Sequence, residues 1–307
     1  MSAPISRRKL ISQVSAAAAA ASFPLRLFGE QWAIASMDSD VSRLAAWSAA
    51  LRAAGFDRAS LSLGRRAIRV GELAVGTPYV PNTLETYIKN GGDPTRTEPL
   101  TLSLMRFDCV TLVEACLAVA RASDDGVKPS WDRFAREVER MRYRGGKRGG
   151  YTSRLHYFSE WISDGAKRGL VRDLGQELGG MRDSRPLRFM TEHRGSYAAM
   201  ADGGVYTEIE AMEKRLDSSP RYVVAADRLE SVAERIKSGD VLAFATAIPG
   251  LDVTHAAFAY RGNDRVLRVL HAPLSGGAVE ITATTLPEYV ARIRRSTGIL
   301  IARPLSA

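Results

Sequence analysis

Apolar residues recur at helical spacing through the first two-thirds of the chain and at strand spacing through the last third. The helical period predicts helices over Asp40–Ala54 and Ala67–Gly76, the second ended by Gly76-Thr77-Pro78. Residues 79–92, with Pro81, Asn82 and paired glycines, read as a loop. Phe107–Arg121 predicts a largely apolar helix through Val110, Val113, Ala115, Leu117 and Val119, and Trp131–Met141 another. Gly145-Gly146 and Gly149-Gly150 mark a turn before Leu155–Trp161, a helix with aromatics on one face. Residues 170–226 read as a mixture of loop, short helix and strand, and Ala226–Lys237 as an amphipathic helix ending near Gly239. Five β-rich runs follow: Val241–Ala245, Ala256–Arg261, Val266–His271, Val279–Thr282 and Gly298–Ala302. Gly, Pro, Asp and Asn separate them, which is the pattern of an antiparallel sheet, and a helix over Leu286–Arg295 precedes the last. Helices first and strands afterwards give an α+β class, with no βαβ alternation and no internal repeat.

The N-terminus has a separate character. Ser6-Arg7-Arg8-Lys9-Leu10-Ile11 precedes a short apolar stretch, Val14–Ala21, and Ala33-Ile34-Ala35 offers a small-residue cleavage site. The order describes a secretory signal over 1–35, and its paired arginines resemble a twin-arginine export address. An exported, periplasmic location follows as an expectation. The apolar stretch is too short to span a bilayer, so no stable membrane insertion is expected once the signal is removed. Residues 36–64 then read as an N-terminal helical extension and 65–307 as the main domain, with a helical insertion around 125–225.

Charge narrows the partners. The formal net charge is +9, and removing residues 1–35 takes away four cations and one anion to leave +6. A moderate positive excess suits an anionic polymer. Nucleic acid is not expected, because basic residues are interspersed with acidic ones and no nucleic-acid module is present. The cluster from Arg140 to Arg148 reads as a solvated loop.

The chain has two cysteines. Cys109 and Cys116 lie in one predicted helix, about 10.5 Å apart at a rise of about 1.5 Å per residue, beyond the roughly 7 Å that a disulfide allows. Both are therefore free thiols. Cys109 opens the helix behind Phe107-Asp108, where unpaired N–H groups and the macrodipole favour a thiolate and lower its pKa. Cys116, among Ala115, Leu117 and Ala118, reads as core. His255 stands at the start of one predicted strand and His271 at the end of the next. Antiparallel pairing across Gly262-Asn263-Asp264 would make them neighbours, which suits either a base with an orienting group for a nucleophile or two histidines of the core or rim. A zinc site would need a third ligand at suitable spacing, which His156 and His193 do not supply.

Gly76-Thr77-Pro78-Tyr79-Val80, Phe107-Asp108-Cys109-Val110-Thr111, Thr254-His255 and His271-Ala272 together resemble the NlpC/P60 superfamily of papain-like cell-wall hydrolases. Asp108–Glu114, Arg154-Leu155-His156-Tyr157 and Pro249–His255 resemble one branch of it, the DUF1460 family of N-acetylmuramoyl-L-alanine amidases. The likeness spans roughly residues 65–305. Val110-Thr111 follows the cysteine where the wider superfamily carries Ser-Gly, which favours this branch. The resemblance implies a papain-like fold with the nucleophile helix packed on an antiparallel sheet. It implies Cys109 as nucleophile, His255 as general base and His271 as orienting member, with Tyr79 and Asp108 beside the nucleophile. It implies peptidoglycan or a muropeptide as substrate, a thioester intermediate and no cofactor or metal. Arg154, His156, Tyr157 and Asp252 become candidate substrate contacts. On the residues alone, Arg154 and His156 fit a helix face equally well, and Asp252 a turn cap. Tyr157 and Trp161, four residues apart on one helix, are expected to form an aromatic wall for a sugar. A γ-D-glutamyl–diamino-acid endopeptidase and a non-catalytic wall-binding module are the rival readings.

Overall fold

The computed structural model describes residues 29–57, 60–123, 128–275 and 277–306, with side chains from residue 38 onward. The paired arginines and apolar stretch of the expected signal segment lie outside the described residues. The chain divides into two compact units, Met1–Asp38 and Ser39–Ala307. A helix, α1, runs over Gly29–Ala53, and the elements after it belong to the second unit. No helix among the described residues is long and apolar enough to cross a membrane.

The helices α2 (Leu63–Ala74), α3 (Cys109–Ala122), α4 (Trp131–Arg142), α5 (Phe158–Lys167) and α6 (Gly203–Leu216) come mostly before the sheet strands, as the periodicity predicts. The strands are β1 (Val171–Asp173), β2 (Met181–Asp183), β3 (Arg221–Ala225), β4 (Val241–Thr246), β5 (Val253–Arg261), β6 (Leu267–His271), β7 (Glu280–Ile281) and β8 (Ser296–Pro304), with α7 (Leu286–Arg292) before the last. Among the described residues they form one antiparallel sheet in the order β2-β3-β8-β4-β5-β6-β7, with β1 also on β8. The α+β expectation therefore holds. The helical insertion around 125–225 needs correcting, because β1, β2 and β3 lie in it and extend the main sheet. Runs of three to five residues are too short for alternation to announce them. The helix expected over 226–237 is broken into Ala226–Arg228, Leu229–Val232 and Ala233–Arg235. Arg261 donates to the carbonyls of Ala233 and Ile236, and Arg303 to that of Arg235, so the carbonyls at the end of this segment find side-chain partners.

All six residues of β4 are buried because the sheet is covered on both faces. Val241, Ala243 and Ala245 face a core shared with Leu112, Val113 and Cys116 of α3. Leu242 and Phe244 face a second core with Leu229, Val232, Leu286 and Val290. The strand period of two thus sends alternate residues to opposite layers, and the run reads as continuously apolar. Helix α3 is wrapped by α2, α4 and the sheet, so every residue from Leu112 to Ala122 is buried. Its one buried carboxylate, Glu114, is held by Arg142 at 2.7 Å, which removes the cost of an unpaired charge.

Candidate active site

Asp108 fixes where α3 begins. Its Oδ1 accepts from the Thr111 N–H at 2.8 Å, and Thr111 Oγ1 accepts from the Asp108 N–H at 2.9 Å, a reciprocal capping box. Cys109 is therefore the first helical residue, partly exposed in a first turn that precedes the buried stretch from Leu112. The N–H groups of Ala256, Val110 and Cys109 point at its sulfur. The expectation of a depressed thiol pKa is corrected here. Burial first, and then the charge of Asp108, push it up to about 12, and those three donors only partly oppose the rise. Cys116 is buried in the core, as expected, and burial alone raises its pKa.

The β5–β6 hairpin joins the two histidines. Pairing runs from Phe258↔Leu270 to Arg261↔Leu267, which brings the start of β5 beside the end of β6. His255 Nε2 lies 2.8 Å from His271 Nδ1, with the rings at 76°. The His255 ring stacks on Phe244, at 5.7 Å between centroids and 14° between planes. Burial, then the neighbouring ring, lowers the pKa of His255 to about 3, and burial lowers that of His271 to about 4. The resting site is accordingly a neutral thiol beside neutral imidazoles.

Tyr79 is tied to the nucleophile by a parallel bridge to Phe107, with Val80 N–H donating to Phe107 O at 2.9 Å and Phe107 N–H to Pro78 O at 3.0 Å. Burial, then Cys109 and Asp108, raise its phenol pKa to about 12, so the group stays protonated and able to donate. The structure thus gathers Tyr79, Asp108, Cys109, His255 and His271 in one place.

The other four candidates are bound to partners of their own. Arg154 is buried, ion-paired with Glu85 and, at 3.5 Å, with Glu98, and it donates to Leu84 O at 3.2 Å. His156 pairs its Nε2 with Tyr151 O at 2.9 Å, and its ring lies against Tyr151. The buried Tyr157 hydroxyl donates to Glu213 at 2.6 Å. Asp252, also buried, accepts from the Ser159 N–H at 2.8 Å and the Val253 N–H at 2.7 Å. Arg154, Tyr157 and Asp252 are thus engaged from within, and the half-buried His156 is tied to Tyr151 through its Nε2. The expected aromatic wall is corrected likewise: Tyr157 and Trp161 are 2% and 4% exposed, and Trp161 stacks on Phe158 inside the core. The aromatic helix face reads as core because helix α5 buries that face, the ordinary use of an apolar stripe.

Two neighbours of the histidines escape a reading of the sequence. Tyr289 Oη lies 3.3 Å from His271 Nδ1, and Glu280 Oε1 3.4 Å from His271 Nε2. Strand register carries the signal for Glu280, which is the Cα partner of His271 in the β6–β7 ladder. Among the described residues no group of three or more His, Cys, Asp or Glu could hold a metal ion.

An α+β fold with a helix-start thiol beneath a histidine pair defines the class. The model of the AmiA-like family, described as N-acetylmuramoyl-L-alanine amidase-like, matches residues 69–299, and the chain belongs to that family. An N-acetylmuramoyl-L-alanine amidase from Bacteroides uniformis is similar with a TM-score of 0.71 and 28% identity, over 80% of this chain and 99% of that one. A Bacteroides fragilis protein provisionally assigned as a xylanase aligns with a TM-score of 0.69 and 33% identity, over 76% of this chain and 99% of that one. A Legionella pneumophila protein of the DUF1460 family shares the fold, with a TM-score of 0.65 and 20% identity, over 89% of this chain and 97% of that one. No curated protein sequence matches the chain.

Proposed function

We propose that this protein is a peptidoglycan hydrolase of the papain-like NlpC/P60 type, which cleaves the N-acetylmuramoyl-L-alanine amide bond with Cys109. The observation that carries the reading is the pairing of His255 with His271 beside a helix-start cysteine, in a chain of the amidase-like family. Burial favours the neutral thiol and the neutral imidazole, so in this reading proton transfer accompanies attack. His255 takes the thiol proton as Sγ adds to the lactyl carbonyl carbon. The oxyanion is received by the Cys109 N–H and the Tyr79 hydroxyl. Collapse breaks the C–N bond, His255 returns the proton to the departing L-alanine amine, and a thioester remains. Water, deprotonated by His255, then releases the muramic acid carboxylate and restores the thiol. The net charge suits an anionic wall polymer, and the paired arginines Arg7-Arg8 suit export to it.

A glycosidase, the assignment given to the Bacteroides fragilis relative, works with two carboxyl groups facing the scissile bond. Here Asp108 is bound to the Thr111 cap and Glu280 faces the His271 ring, which speaks against that chemistry. The test is digestion of a muramoyl tripeptide followed by mass analysis. The expected products are an intact muramic acid and a free peptide with L-alanine at its N-terminus, and none of either from Cys109→Ala. A sugar still carrying L-Ala-D-Glu would move the protein to the endopeptidase reading. Full turnover by Cys109→Ala would remove the nucleophile.

A further inference from the structure

The buried ring of His271 has one nitrogen that no hydrogen bond accounts for. Its Nδ1 meets His255 Nε2 at 2.8 Å and Tyr289 Oη at 3.3 Å. Among the described residues its Nε2 is buried without a hydrogen-bond partner, and the group facing it is the Glu280 carboxylate, with Oε1 at 3.4 Å. Glu280 reaches that place through the backbone, since the β6–β7 register sets it directly opposite His271.

We propose that Glu280 is a positioning residue that fixes the tautomers of both histidines and so makes His255 a base. The proposal rests on the reading of Cys109 as nucleophile and His255 as its base. A neutral imidazole carries one N–H and one lone pair, on different nitrogens. A carboxylate accepts only, so Glu280 draws the His271 proton to Nε2 and leaves the lone pair on Nδ1. His255 must then donate from Nε2 across the 2.8 Å contact, which puts the His255 lone pair on Nδ1, the nitrogen turned away from His271. That lone pair is what a thiol proton requires. In the opposite arrangement His271 Nδ1–H donates to His255 Nε2. The His255 proton then sits on Nδ1, and the ring has nothing to offer a thiol. Tyr289 does not choose between the two, because a hydroxyl donates in the first and accepts in the second. Of the described groups on the His271 ring, only Glu280 breaks the tie.

The proton count closes over a turnover. His255 Nδ1 takes the thiol proton, and the resulting cation is steadied by the His271 lone pair on its other nitrogen. It then gives that proton to the leaving amine. His255 Nε2–H and His271 Nε2–H stay where they were throughout, and neither Glu280 nor His271 gains or loses a proton. Glu280 thereby acts through two rings without touching substrate.

The chain has four histidines, few enough to assign individually by long-range proton–nitrogen correlation on the full protein labelled with ¹⁵N-histidine. The wild type, without substrate, should show His255 and His271 both protonated on Nε2. Glu280→Ala should move one or both to Nδ1–H or to a mixture, and lower kcat at least tenfold with KM within about twofold of the wild type. Glu280→Gln, whose amide offers either an acceptor or a donor, should fall between them, and it carries the test should the alanine variant misfold. A wild-type His271 protonated on Nδ1 would overturn the proposal. A rate loss without a tautomer change, a tautomer change without a rate loss, or neither would overturn it as well. Failure of the nucleophile reading is seen separately as turnover by Cys109→Ala, because the tautomers are read in free protein.

Discussion

At the scale of single residues, burial outweighs the helix start in setting charge. The thiol of Cys109 rises to about 12 although three backbone N–H groups favour its anion, and Asp108 adds to the rise. Asp108→Asn keeps a side chain that caps helices well while removing the charge. The thiol pKa should therefore fall, and the pH at which haloacetamide labelling of Cys109 accelerates should move down with little change in melting temperature. An unmoved inflection would show that the sulfur does not feel Asp108. The histidines give a second expectation, in stability. Unfolded histidine titrates near 6.5, whereas His255 and His271 hold off protonation to about 3 and 4. Below 6.5 the unfolded chain binds protons that the native site refuses, so stability is full above 6.5 and declines as pH falls towards 4 and 3. The double variant His255→Gln, His271→Asn should show a flatter melting temperature between pH 7 and 4 than the wild type. Parallel profiles would count against this. The placing of Cys109 at a helix start and of His255 and His271 at strand ends was legible in the sequence. The thiol pKa was not, since depth of burial is a property of the packed layers around α3.

At the scale of elements, periodicity located α2, α3, α4 and the later strands to within a few residues. It failed where a segment owes its form to a distant partner. β1 and β3 are three and five residues long and exist as strands because both pair with β8. The broken turns after β3 end on carbonyls that Arg261 and Arg303, from β5 and β8, hold from outside the segment. A glycine supplies another long-range constraint. Gly239 has φ +91° in the turn before β4, and a Cβ there would stand 2.2 Å from the carbonyl of Gly64 in α2. The helix and the strand turn touch backbone to backbone, which only glycines allow. Gly239→Ala combines a left-handed backbone with an overpacked contact, so it should cost on the order of 3 kcal/mol in chemical denaturation. A loss under about 0.5 kcal/mol would mean that α2 can shift without penalty.

At the scale of the whole molecule, α1 connects to the reaction centre through the segments that lead into it. The Asp40 carboxylate, buried, accepts from the Leu104 N–H and from Ser103 Oγ at 3.2 Å. Arg43, one turn on, donates to Leu104 O at 3.0 Å and to Thr77 Oγ1 at 3.3 Å. Leu104 lies four residues before the Asp108 cap, and Thr77 two before Tyr79. One helix therefore holds both strands of chain that flank Cys109, although a sequence reading treats residues 36–64 as an extension outside the catalytic domain. Amphipathic spacing shows that such a helix packs, but not which loops its polar residues bind. Asp40→Ala leaves the buried Leu104 N–H without its acceptor, which should cost about 1–3 kcal/mol of stability. Turnover should fall further than the unfolded fraction explains, because Cys109 and Tyr79 lose a common support. The check is kcat measured well below the melting temperature of the variant, beside hydrogen exchange over residues 103–109. Faster exchange there with reduced kcat places α1 within the catalytic unit. Full turnover by a folded Asp40→Ala protein would confine the helix to stability alone.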